Sequence, residues 1–86
     1  MPTISAFYGI VIAMFYNDLD PPHFHARYAG SRARFAIDTC ELIDGDLPIR
    51  AQRLIREWSA LHRTELAEDW QRAQALLPLH PIDPLP

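Results

Sequence analysis

Two closely spaced histidines are the residues of this 86-residue chain best suited to chemistry. His23 and His25 follow Pro21-Pro22, and proline disfavours helix for itself and for the residue before it. Spacing at i and i+2 places both imidazoles on one face of a β-strand. Imidazole changes its charge near neutral pH and serves as a general acid, a general base or a metal ligand. The pattern predicts a functional face that includes both histidines.

A β-hairpin would bring further charged residues to this face. Gly30-Ser31 reads as a two-residue turn that joins the histidine strand to the next strand. In this register His23 lies opposite Asp38, and Arg27 lies opposite Arg34. The register also separates an apolar face from a polar face, which a slip of one residue would mix.

A catalytic interpretation assigns His23 or His25 as the general acid or base and Asp38 as the carboxylate that orients it. Arg27 and Arg34 would bind an anion, because like charges on neighbouring strands are destabilising unless an anion lies between them. These roles describe a ribonuclease-like or metal-assisted phosphodiesterase. The alternative is that the arginines extend into solvent and the histidines end a strand.

A metal site is another interpretation of the same histidines. His23 and His25 supply two ligands, whereas a transition metal needs three or four. Further donors could come from a wider set: Asp18, Asp20, Asp38, His62 and His80. The chain has neither a Cys-x-x-Cys nor a His-Glu-x-x-His motif. We therefore expect no resident cofactor, with a divalent metal as the alternative.

The C-terminal half is predicted to be helical and to carry a basic surface. Apolar residues recur at helical spacing from Leu47 to about Leu76, which predicts either one long helix or a helix pair that bends near His62. Arg50, Arg53 and Arg56 follow one another at intervals of three near the start, where positive charge opposes the helix dipole. These arginines form either a solvated face or a docking surface for a charged partner.

The N-terminal half is predicted to form the sheet that the helices cover. The run Phe7–Tyr16 is apolar at nearly every position, which is typical of a central strand, and Thr39–Ile43 favours a short edge strand. The expected fold is α+β, a small antiparallel sheet of three to four strands packed against one long or two consecutive C-terminal helices. Residues 1–77 would form this single domain, and residues 78–86 a proline-rich extended tail.

Composition restricts the classes of partner. The net charge of −3 gives no general attraction to nucleic acid, so RNA or DNA binding would need a local basic patch. The single cysteine, Cys40, cannot form an internal disulfide, which favours a reducing compartment and an inert thiol. The start of the chain lacks a basic signal-peptide region, and the uncharged run Ile4–Tyr16 is too short to span a bilayer. We expect a soluble cytoplasmic protein without a membrane partner.

Several short motifs together resemble a known family. They are Met1–Ser5, Phe7–Ile10, Pro22–Ala26, Gly45–Pro48, Glu57-Trp58, Leu61-His62, Glu65-Leu66, Trp70 and Ile82–Leu85. The set is similar to the bacterial domain-of-unknown-function family numbered 4160 over nearly the whole chain. Pro22, His23, Phe24 and His25 match its Pro-His-aromatic-His pattern, and Trp58, Trp70 and His62 match its helix residues. Cys40 departs from the family, in which glycine is expected at this position.

The resemblance implies a fold and a partner but no established activity. The fold is a small sheet with helix, and such proteins are often encoded beside a second small protein of the family numbered 2442. This arrangement resembles a toxin–antitoxin pair, so the resemblance implies protein binding through the hairpin or the helix. The remaining alternatives are the phosphodiesterase, a nucleic-acid-binding regulator that uses the arginines, and a homo-oligomer that covers the polar sheet face.

Overall fold

The chain folds as a five-stranded antiparallel sheet followed by two helices. A computed structural model describes residues 2–86. The elements are β1 Thr3–Phe7, β2 Ile10–Ala13, β3 His23–Tyr28, β4 Ser31–Ala36, β5 Leu42–Gly45, α1 Ile49–Leu61 and α2 Arg63–Gln74. Neighbouring strands are also neighbours in the chain, in the order β1-β2-β3-β4-β5. The α+β class is confirmed, and of the two helical alternatives the structure shows the pair.

The predicted three to four strands become five because Phe7–Tyr16 is not one strand. Tyr8 and Gly9 have φ angles of 50° and 79° and form the turn between β1 and β2. Positive φ at both turn residues matches the twist of a two-residue hairpin. The apolar run therefore folds back on itself and adds a strand at the edge of the sheet.

The hairpin of β3 and β4 turns one residue earlier than predicted. Its turn is Ala29-Gly30, with φ angles of 48° and 83°, rather than Gly30-Ser31. The cross-strand pairs consequently shift by two residues. Because side chains alternate with a period of two, each stays on its predicted face while its partner changes.

The core lies between one face of the sheet and the two helices. Trp58 of α1 is fully buried, with its ring 5.4 Å from that of Phe7 and 5.7 Å from that of Phe24. Trp70 of α2 is also buried, so both tryptophans belong to the core. At about 25 cal/mol per Å² and roughly 200 Å² per indole, each burial contributes roughly 5 kcal/mol before entropy is subtracted. None of the helices within residues 2–86 is long and apolar enough to cross a membrane.

The proline-rich tail contains neither helix nor strand, yet it packs on the core. Ile82 is buried, and its N–H donates to the carbonyl of Ile4 at 2.8 Å. The indole N–H of Trp58 donates to the carbonyl of Asp83 at 2.8 Å. These contacts join the tail to both the first strand and the first helix.

Cys40 occupies a backbone conformation that favours glycine. Its φ angle is 63°, in the left-handed region, and its side chain is buried beside Arg63, which donates to Sγ at 3.3 Å. The left-handed conformation is strained for a residue with a Cβ atom. The turn thus explains physically why glycine suits this position.

Candidate functional site

The loop between β2 and β3 carries Asp18 to the histidines at the start of β3. Asn17 N–H donates to the carbonyl of Ala73 at 3.2 Å, and the Gln74 side-chain amide donates to the carbonyl of Asp18 at 3.0 Å. Both partners, the Ala73 carbonyl and the Gln74 side chain, belong to the last turn of α2. The helix therefore fixes the loop, and the loop in turn fixes the Asp18 carboxylate.

His23 is buried and held in one tautomer. Its Nδ1 atom lies 2.8 Å from the carbonyl of Pro21, and a carbonyl only accepts, so Nδ1 carries the proton. The Nε2 atom lies 2.9 Å from Asp18 Oδ2. The direction of this contact is not that of a hydrogen bond, and Nε2 has no hydrogen-bond partner within residues 2–86. With the residue 1% exposed, the structure buries a nitrogen without a partner.

His25 shares the same carboxylate oxygen but is more accessible. Its Nε2 atom forms a hydrogen bond with Asp18 Oδ2 at 3.2 Å, and its ring packs edge-on against Phe15 with centroids 4.2 Å apart. Burial lowers the pKa of His25, and the hydrogen bond to Asp18 opposes that shift only in part. Burial raises the pKa of Asp18, but the hydrogen bonds from the His25 ring and the Leu19 N–H, together with the two nearby imidazoles, outweigh this effect, so the pKa lies below its usual value. The cluster therefore favours an ionised Asp18 beside a neutral His25.

The carboxylate beside His23 is Asp18 and not Asp38, which was predicted to orient it. His23 lies opposite Ala36 in the sheet, and Asp38 is exposed in the turn after β4. Asp18 instead approaches from a loop, where sequence reasoning had placed it only among several metal donors. In the sequence, only the position of Asp18 shortly before the histidines pointed to a contact with them. A position in a loop does not determine the direction in which the loop folds.

The other predicted donors lie apart from the cluster. His62 contacts Glu65 within the helical region, and the backbone N–H of His80 donates to Asp69. Asp20 is exposed in the loop. Asp18, His23 and His25 form a group whose donor atoms all lie within 4.8 Å of one another.

The arginines of the hairpin do not pair as predicted. Arg27 lies opposite Arg32, and Arg34 lies opposite His25. Arg34 is neutralised by Asp44, which accepts two hydrogen bonds from Nε at 2.9 and 3.1 Å and a third from Nη2. Arg27 and Arg32 are exposed, and no carboxylate within the described part of the chain lies within 4.0 Å of either. The uncompensated like-charge pair is therefore Arg27 with Arg32.

The sheet face opposite the helices forms an open groove. Its volume is about 570 Å³, and its lining combines apolar and charged side chains, among them Val11, Ala13, Phe15, His25, Arg27 and Arg32. An apolar floor with a basic rim differs from the uniformly polar surface expected of a solvated sheet face. The groove thus places apolar contact area, an imidazole and two unneutralised guanidinium groups together.

The helix arginines lie on a different surface. Arg50, Arg53 and Arg56 are exposed on α1, which covers the opposite face of the sheet from the groove. Arg56 approaches Glu41 at 3.9 Å, a contact that contributes little between exposed groups. The two basic surfaces can therefore be changed independently.

Comparison with known proteins identifies the family but not an activity. Neither curated proteins nor solved structures include a match to this chain. The sequence matches the family described as Domain of unknown function (DUF4160) over residues 9–71, which is more than half of the chain. That segment contains the whole cluster of Asp18, His23 and His25 and both unpaired arginines. The chain therefore belongs to the DUF4160 family.

Proposed function

We propose that this protein is a protein-binding module, one component of a two-protein system of the toxin–antitoxin type. Its groove would receive an acidic segment of the partner protein. The observation that carries the proposal is the unneutralised pair of Arg27 and Arg32 beside the partly buried apolar floor of the groove. An acidic side chain would relieve the repulsion between the guanidinium groups and form charge-assisted hydrogen bonds with them.

The apolar floor supports a protein segment over a free anion. Val11, Ala13 and Phe15 line the groove, and Phe15 already packs against His25. A small anion would satisfy the arginines but leave these side chains in water. A segment with alternating acidic and apolar residues would contact both, as extended peptides do on other sheet surfaces. The gene neighbour implied by the resemblance supplies the candidate partner.

The test is co-expression with the product of the adjacent gene, followed by size-exclusion chromatography with light scattering. We expect a complex with the wild-type protein and its loss in R27E/R32E, since charge reversal replaces attraction by repulsion at about 1–2 kcal/mol per contact. The matched control is R50E/R53E, which changes the charge equally on α1 and should retain the complex. Loss of binding only in R50E/R53E would move docking to the helix. A wild-type protein without affinity for its neighbour would refute the two-protein proposal.

A second candidate function, phosphodiester cleavage, is favoured by one specific observation. His25, which the lowered pKa keeps neutral at pH 7, is partly exposed in the same groove as the unpaired Arg27 and Arg32. A neutral imidazole can remove a proton from a nucleophile, and guanidinium groups can stabilise charge on a phosphoryl oxygen. In this arrangement Asp18 replaces Asp38 as the orienting carboxylate.

The second candidate is tested by incubating the purified protein with single-stranded RNA. Cleavage that is lost in H25A and in R27E/R32E, but kept in R50E/R53E, would support it. Intact RNA after incubation with the wild type would contradict it. Binding that weakens steeply with salt but produces no cleavage would indicate a nucleic-acid-binding regulator instead, because phosphate contacts release counterions.

A further inference from the structure

We infer that Asp18, His23 and His25 form a binding site for a divalent transition metal, and that zinc suits its donors best. This site goes beyond the proposed partner binding and does not depend on it. Two imidazole nitrogens and one carboxylate oxygen meet here, with donor atoms within 4.8 Å of one another. Two histidines and a carboxylate are a recurring ligand set for zinc and for non-haem iron.

The strongest argument is the unpartnered nitrogen of His23. Its Nδ1 proton is directed at the Pro21 carbonyl, and its Nε2 atom lies 2.9 Å from Asp18 Oδ2 without forming a hydrogen bond. A nitrogen and a carboxylate oxygen this close attract each other when a cation, either a proton or a metal ion, is shared between them. Because His23 is 1% exposed, bulk water cannot relieve the contact. A metal ion bound by both atoms would give the unpartnered Nε2 a partner and form two coordinate bonds.

The groups around the ligands hold them as metal sites require. Metal-binding histidines commonly donate their other N–H to a carbonyl or carboxylate, which fixes the tautomer and the ring orientation. The Pro21 carbonyl does this for His23. Asp18 is positioned by a loop that the Gln74 side chain and the Ala73 carbonyl fasten to α2. The site is preorganised before a metal arrives.

The distances fit a small tetrahedral ion. Zinc bonds of about 2.0–2.2 Å imply ligand atoms roughly 3.3–3.5 Å apart in a tetrahedron. Asp18 Oδ2 lies 2.9 Å from His23 Nε2 and 3.2 Å from His25 Nε2, so these two separations would lengthen by some tenths of an ångström. The donor nitrogens of the two histidines lie within 4.8 Å of each other. Asp18 and His25 are each 26% exposed, which leaves the fourth coordination position open towards solvent.

The experiment is isothermal titration of Zn²⁺ alone into the full-length protein, after removal of metals with EDTA and dialysis. We expect one ion per chain with a Kd in the micromolar range or tighter, and a higher Tm with bound metal. Asp18→Asn and His25→Gln should each weaken binding more than tenfold, since each removes one of three ligands. Both residues are partly exposed, so these variants should fold, which circular dichroism checks.

The matched control is His62→Gln, which removes a histidine outside the cluster and should leave the Kd unchanged. Absence of saturable 1:1 binding by the wild type would overturn the inference. It would also be overturned if Asp18→Asn and His25→Gln bound zinc with the affinity of the wild type.

Partner binding is measured separately in EDTA, so failure of one proposal leaves the other standing. A metal on His25 Nε2 would also displace the hydrogen bond by which Asp18 orients this imidazole in the phosphodiesterase proposal, so zinc should inhibit any such cleavage.

Discussion

The fold buries the Asp69 carboxylate and gives only one of its two oxygens a hydrogen-bond partner. Asp69 is 1% exposed; its Oδ1 accepts the N–H of His80 at 2.9 Å, whereas Oδ2 has no hydrogen-bond partner within residues 2–86. Burial raises the pKa of Asp69, and the His80 N–H and the nearby Arg72 oppose the shift in part, while Glu68 adds to it. The folded state therefore disfavours the charged form of this side chain.

This burial predicts a pH-dependent effect of Asp69→Asn. Because the folded pKa lies above the ordinary aspartate value of 3.8, the folded state binds more protons between these two pKa values. The contribution of Asp69 to stability therefore falls as the pH rises through that window. Removing the charge should raise the free energy of unfolding at pH 7 by about 1–2 kcal/mol. The gain should shrink as the pH approaches 4. Urea unfolding of both proteins at the two pH values measures this, and a variant that is less stable at pH 7 would contradict it.

At the residue scale, the sequence predicted the histidine face but not its partner. The i, i+2 spacing of His23 and His25 determines their common face in any strand, and the structure keeps it. Asp18 approaches them only because its loop is bonded to Ala73 and Gln74, more than fifty positions away in the chain. Such a long-range contact leaves no local pattern in a sequence.

At the scale of the strands, alternation predicted which residues share a face but could not determine the register. A shift of two residues leaves every side chain on the same face, so the predicted and observed hairpins have the same apolar pattern. The turn decides between them, and Gly30 belongs to both versions of the turn. Tyr8-Gly9 was missed for a related reason, since tyrosine at a turn carries no strong turn signal.

The turn at Ala29 gives a stabilising prediction. Ala29 has a φ of 48°, where alanine is strained and asparagine is tolerated, and Asn-Gly is the preferred pair in a turn of this type. Ala29→Asn should raise the free energy of unfolding by about 0.5–1 kcal/mol. The control is Ser31→Asn in β4, which should give no gain. Equal gains in both variants would show that the turn conformation is not the cause.

At the scale of the whole molecule, the tail is part of the core although its sequence gives no periodic pattern. Prolines at 78, 81, 84 and 86 separate its apolar residues, so neither helical nor strand spacing can be recognised. Helix positions were easier to predict, because Ile55, Trp58, Leu66 and Trp70 repeat at helical spacing and are buried. Tertiary contact alone decides the position of the tail.

Truncating the Ile82 side chain of the tail should therefore destabilise the entire fold. Ile82 is 4% exposed, and Ile82→Ala should lower the free energy of unfolding by about 2–4 kcal/mol through lost burial and a residual cavity. Pro81→Ala, at an exposed neighbouring position, is the control and should cost far less. Urea unfolding followed by tryptophan fluorescence measures both. A loss below 0.5 kcal/mol for Ile82→Ala would mean that the tail is not part of the cooperative unit.

The bond between Ile82 and Ile4 also limits how copies of this protein could join. A protein whose sheet has two free edge strands can pair with another copy at each edge, so that assembly continues without limit, as in a fibre. Here the tail occupies a carbonyl on the outer edge of β1, whereas β5 pairs only with β4 within residues 2–86. The tail therefore removes an acceptor that a strand added beside β1 would need, whereas the outer edge of β5 has no strand partner within the described residues.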